Sequence, residues 1–212
     1  VAAFFAGAKQ RVTEKTIGQV FKVYGEMFND FAYDAFNGRM TATDMARAHR
    51  ALIRELAPAA YQEGMREAGA KKPEDLYDED DDSTVQNWVE SQLPHVRGLA
   101  DDAAEVSADN TKDARTPILS RLDLWVEAMR FLGNMGRLAY LNDPVIYFDG
   151  DDGQESCKEC QKYKGKDKAH RQSWWERRGL LDRPGNDNYT CGRFENCHHH
   201  FYLSSTDEMI LA

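Results

Sequence analysis

Four cysteines lie close together towards one end of the sequence, at Cys157, Cys160, Cys191 and Cys197, and the last runs directly into His198, His199 and His200. Cysteines placed as ordinary core residues would seldom all fall in so short a span. Cys157-Lys-Glu-Cys160 is a CxxC knuckle, a turn that lets two thiolates meet one ion at about 2.3 Å. The second pair, Cys191 and Cys197, is wider. Two ligand sets are open. Either all four thiolates close a tetrahedron, or the CxxC pair is joined by one further cysteine and one histidine, with His199 taking the place of Cys191. Both sets are complete, and a complete tetrahedron is the signature of structural zinc, because a catalytic site keeps a position for water.

Other chemistries fit less well. His170, Glu155, Glu159 and Glu195 could supply a base to a metal-dependent hydrolase, which keeps that reading as a minor one. A redox CxxC would follow a strand and open a helix in a βαβ setting, and this one does not. Two disulfides need an oxidising compartment. The opening apolar residues, 1–8, have no basic segment before them and no cleavage pattern after them, so they are read as the start of a helix and not as a signal peptide. A reducing compartment is then the default. His49 and His95 fall in helical segments with no partner nearby in sequence, and both are taken as ordinary.

The elements that must position the cysteines are read from apolar spacing. Ile17, Phe21, Tyr24, Phe28, Phe31 and Ala35 recur in steps of three and four, one helical face that ends at Asn37-Gly38. A second helix is expected from about Thr43 to Ala68, with Met45, Leu52, Leu56, Tyr61 and Met65 inward, Pro58 bending or splitting it, and Gly69 stopping it. Few residues separate the two, so they should form an antiparallel hairpin. Residues 70–82, rich in acids, read as an exposed connector. Ser83 with Gln86 fits a capping box opening a third helix with Trp88, Leu93, Val96 and Leu99, and Pro94 as an irregularity. Thr116-Pro117 reads as the start of a fourth, carrying Ile118, Leu122, Trp125, Met129 and Leu132 and ending near Asn142-Asp143-Pro144.

Beyond Pro144 the texture changes. Residues 145–148 are β-prone, turn residues and basic residues follow, and 201–203 read as a second short strand. The fold class expected is mainly α: an elongated antiparallel region of about four helices over 1–143, then a small α+β zinc-binding module over 144–212. So small a module, poor in aliphatic bulk, struggles to offset its chain entropy by apolar burial alone. Zinc binding can add roughly 10 kcal/mol of folding free energy.

Composition narrows the partners. The 212 residues carry a net charge of −9, which argues against a protein that wraps nucleic acid by general phosphate neutralisation. No stretch approaches the ~20 apolar residues of a membrane span. The acids at 78–82 read as a solvated loop. Lys158, Lys162, Lys164, Lys166, Lys168, Arg171, Arg177, Arg178 and Arg183, with Trp174 and Trp175 among them, form a basic stretch over 158–183. It leaves a nucleic-acid-binding zinc protein as the alternative function, beside the plainer reading of solvated loop side chains.

Read together, Cys157-Lys-Glu-Cys160, Gly165-Lys166, the run from Arg183-Pro-Gly-Asn to Cys191, and Asn196-Cys197-His198-His199 resemble the end of the phage head morphogenesis, or minor head protein, family. The helical region ahead fits that family by architecture. The family's usual ending is His-x-x-Cys-x-Cys, whereas here Cys197-x-His199 stands in that place and Cys191 lies further upstream. The resemblance implies a non-catalytic virion protein, made in the host cytoplasm and docked at the portal vertex or head interior. Its partners would be the portal protein, the major capsid protein or both, and packaged DNA as a further contact. It would occur in several copies per particle, each with one structural zinc.

Overall fold

The computed structural model describes residues 19–109, 111–150, 158–181, 199–207 and 209–211, by backbone alone at 107–109, 158–160, 199 and 211. The chain divides into two compact units, Val1–Arg137 and Leu138–Ala212.

The first unit is built from four long helices: α1 (Val20–Phe36), α2 (Ala42–Glu67), α3 (Glu79–Asp109) and α4 (Lys112–Leu141), the last running on into the second unit. Each forms where the apolar stripe predicts. Tyr24, Phe28, Phe31 and Ala35 of α1 are buried, as are Met45, Leu52, Leu56, Tyr61 and Met65 of α2. Trp88, Val96 and Leu99 of α3 meet Ile118, Leu122, Trp125, Met129 and Leu132 of α4 in the same core, with Leu93 packed at its edge. Full burial of a side chain such as Phe28 or Leu56 contributes about 2 kcal/mol. Ile17 and the rest of the first stripe before Gln19 lie outside the described residues.

Side-chain pairs fix the directions. Arg97 of α3 reaches Thr43 at the start of α2, Arg54 pairs with Glu90, and the Tyr61 hydroxyl donates to Asp81 at 2.6 Å. As α2 advances, its α3 partners recede, so the two run antiparallel. Phe36 with Arg115, Phe28 with Trp125 and Phe21 with Arg130 show the same for α1 and α4. Between α2 and α4 the backbones nearly touch. A Cβ on Gly64 would overlap the carbonyl oxygen of Gly133, and one on Gly136 would overlap that of Tyr61.

Three element boundaries differ from expectation. The acids are not a free connector, because α3 starts at Glu79 and takes 79–82 as its first turn. Asp78 caps it: its carboxylate accepts from the N–H groups of Asp80 and Asp81 at 2.9 and 3.0 Å, and the Asp81 carboxylate accepts from Asp78 N–H in return. That is a capping box, placed five residues before the one expected at Ser83. Ser83 instead donates back to the Glu79 carbonyl. Acidic side chains suit the positive end of a helix, which is why the run folds in. Likewise α4 opens at Lys112, with Thr111 Oγ1 accepting from Ala114 N–H, and Pro117 lies inside it. Pro58 and Pro94 also lie inside unbroken helices; α2 is not split. Each proline removes one ladder bond, but buried neighbours on both sides, Leu56, Ala57, Ala60 and Tyr61 around Pro58, hold the helix together.

The second unit is a four-stranded antiparallel sheet with short helices. Its strands are β1 (Val145–Gly150), β2 (His170–Arg171), β3 (His199–Leu203) and β4 (Met209–Leu211), in the order β2-β1-β3-β4. Helix α5 (Lys158–Tyr163) precedes β2 and α6 (Gln172–Glu176) follows it. Ile146, Phe148, Phe201 and Leu203 form one buried face, against which Trp175 lies fully buried with its indole N–H donating to the Ile146 carbonyl. The turn out of α4 holds Asn142 and Asp143 at φ of 51° and 63°, a left-handed pair that both residue types tolerate. Asp143 then caps α6, accepting from Ser173 N–H at 2.7 Å and from the Ser173 hydroxyl at 3.2 Å.

Candidate metal centre

The five named ligands lie outside the described side chains. Cys157, Cys191 and Cys197 are outside the described residues, and Cys160 and His199 are placed by backbone alone. Among the described residues no group of three His, Cys, Asp or Glu side chains surrounds a common point.

The backbone nevertheless brings the two ligand-bearing segments to one strand. Cys160 stands in α5, one turn before Lys164, and Lys164 bridges Phe148 of β1, with Gly165 N–H donating to the Phe148 carbonyl at 2.9 Å. On the other side of β1, Phe148 pairs with Phe201 and Gly150 with His199. Helix α5, which holds Cys160, and the His199 end of β3 therefore flank the same end of β1. Alternation along β3 places position 199 on the face that carries Phe201, and His200 on the opposite face across from Asp149. Of the histidines in β3, 199 is thus the one that shares the face of the aromatic core. Tyr163, at the end of α5, packs on the edges of Trp174 and Trp175 over that core.

Four cations of the basic stretch are engaged locally. Lys166 pairs with Asp207 at 2.6 Å, Lys164 with Asp149 at 3.7 Å and Arg171 with Asp143 at 3.5 Å, while the Lys168 ammonium donates to the Gln161 carbonyl. The backbone and side-chain N–H and O–H of Ser173, in that order of weight ahead of Arg171, hold the Asp143 carboxyl below its usual range. Lys166, then the Tyr147 hydroxyl, do the same for Asp207. Arg183 lies outside the described residues. Nor are the tryptophans free to stack on bases. Trp175 is core, and Trp174 has the Arg178 guanidinium 3.8 Å and the His170 ring 3.9 Å from its centroid. Two planar groups so close to one centroid must take opposite faces, so both faces of Trp174 are covered. His170, the candidate base of a hydrolase, is a stacking partner here.

Reading along the chain missed two polar contacts that depend on tertiary neighbours. His49 does have a partner: its Nε2 lies 2.8 Å from the Tyr24 hydroxyl on α1. Asp143 was legible as a helix end but not as the cap of α6. No family model, no curated protein and no solved structure matches the chain.

Proposed function

We propose that this chain is a structural protein of a phage head, of the minor head or head morphogenesis type, whose C-terminal unit is closed by one zinc ion and which catalyses no reaction. The observation that supports the reading is the convergence of α5, which holds Cys160, and β3, which begins at His199, on the same end of β1. The donor set fits zinc: Cys157, Cys160 and Cys197 with either Cys191 or His199 give the soft, four-coordinate ligation of structural sites. Zinc bound by that set would cross-link the CxxC segment to the segment that leads into β3. The protein side supplies the rest of the unit's stability through the buried Trp175, Phe148 and Phe201.

The helical unit is then the part that meets partners, the portal protein or the major capsid protein, through the charged outer faces of its helices. Exposed Leu124 and Tyr33 are isolated apolar points on those faces. Proteomics of purified particles of the virus that encodes the chain tests this reading. Several copies per particle, resistant to external protease until the head is opened, are expected. Absence from particles despite abundance in the infected cell would overturn it.

A further inference from the structure

The helical unit buries one imidazole completely. His49 is 1 % exposed. Its ring stacks on Phe28 of α1 with centroids 3.6 Å apart and meets Trp125 of α4 edge to face at 4.6 Å. Nε2 is engaged by the Tyr24 hydroxyl, and Nδ1 is buried with no hydrogen-bond partner among the described residues.

An imidazolium in this position would need an acceptor at each nitrogen, and only Nε2 has one, the Tyr24 oxygen. Among the described residues no carboxylate acts on the ring. The ionisable group that bonds it is Tyr24, and burial pushes that hydroxyl far up, so it stays neutral. On its own helix, Arg47 is paired with exposed Asp44. The faces of Phe28 and Trp125 attract a cation, but less than the loss of an ion's hydration costs.

We propose that His49 is an acid-released latch: protonation expels the ring from its aromatic cage and frees α1 from α2 and α4. Burial alone holds the closed-state imidazole down to about 3, against 6.5 for the free side chain. Above pH 6.5 both closed and open states are neutral here, and the opening equilibrium is flat. Below it the open state takes up a proton that the closed state refuses, so opening grows about tenfold per pH unit until the closed-state value is reached.

Hydrogen exchange of the full chain at pH 7.5 and pH 5, corrected for intrinsic rates, tests the latch on residues 20–36. The opening constant is expected to rise about 30-fold. His49→Gln, which keeps a polar partner for Tyr24 but does not titrate, is expected to show no such rise. No rise in the unaltered chain, or an equal rise in His49→Gln, would overturn the proposal. Where His49→Gln does not fold, NMR of the His49 ring in the unaltered chain decides: a neutral ring in the closed state at pH 5 is expected, and a folded imidazolium at that pH would overturn it.

Discussion

At the scale of residues, the sharpest constraint is the meeting of Gly64 with Gly133 and of Gly136 with Tyr61. Backbone faces backbone there, so a methyl group has no flexible side chain to displace. Gly64→Ala is expected to destabilise the helical unit by about 3 kcal/mol, the upper end of overpacking. Gly98 is the control, an exposed helical glycine with nothing within 4 Å of its would-be Cβ. Gly98→Ala is expected to stabilise by about 0.5–1 kcal/mol through helix propensity alone. Urea midpoints of the two variants measure both. Equal effects, or a tolerated Gly64→Ala, would mean that α2 and α4 do not approach as described. None of this is visible in the sequence, where Gly64, Gly98 and Gly133 all look like weak points in a helix. Their difference is created by the neighbour. The same holds for His49, whose partner lies on the preceding helix: the sequence places it in a helical segment, but nothing along the chain marks Tyr24 as the group opposite.

Among the elements, legibility follows locality. The apolar stripes of α1 to α4 are plain because a period near 3.6 is a property of the segment itself, and the described residues on them are buried or, at Phe21 and Leu93, packed against the core. Boundaries were misread where two capping patterns competed. Asp78 with Asp81 and Ser83 with Gln86 both have capping spacing, and the acidic pair wins because it adds a turn of helix and places Asp81 under the Tyr61 hydroxyl. Asp78→Ala should therefore cost about 1 kcal/mol as a lost N-cap, while Ser83→Ala should change stability by less than about 0.5 kcal/mol. Thermal melts of the two compared with the unaltered chain check this; the reverse order would restore the later helix start. Strands β2 and β4 were illegible for a different reason. His170 and Arg171 are extended because Ile146 and Val145 pair with them, and Met209 because Tyr202 does. Pairing across such sequence distances leaves no local period to read.

At the scale of the whole molecule, labour is divided between a helical unit that carries its own core and a smaller unit whose sheet brings α5 and the start of β3 to β1. The change of texture at Pro144 was readable because turn, basic and cysteine residues replace the apolar stripe. The ligand set was not, since the choice between Cys191 and His199 depends on geometry at the ion. Cys157→Ser is expected to unfold the second unit while leaving helical circular dichroism largely intact, as the buried core of the helical unit is drawn, among the described residues, from positions 20–132. Loss of all helical signal in one transition would join the two units into one folding body.

The most direct test is metal analysis of the full chain purified under reducing conditions, combined with thiol counting after chelation. About one zinc per chain is expected, as for a single four-ligand site, with the cysteines becoming reactive only once the metal is removed. Metal-free protein with its cysteines paired as disulfides would contradict the account at its centre.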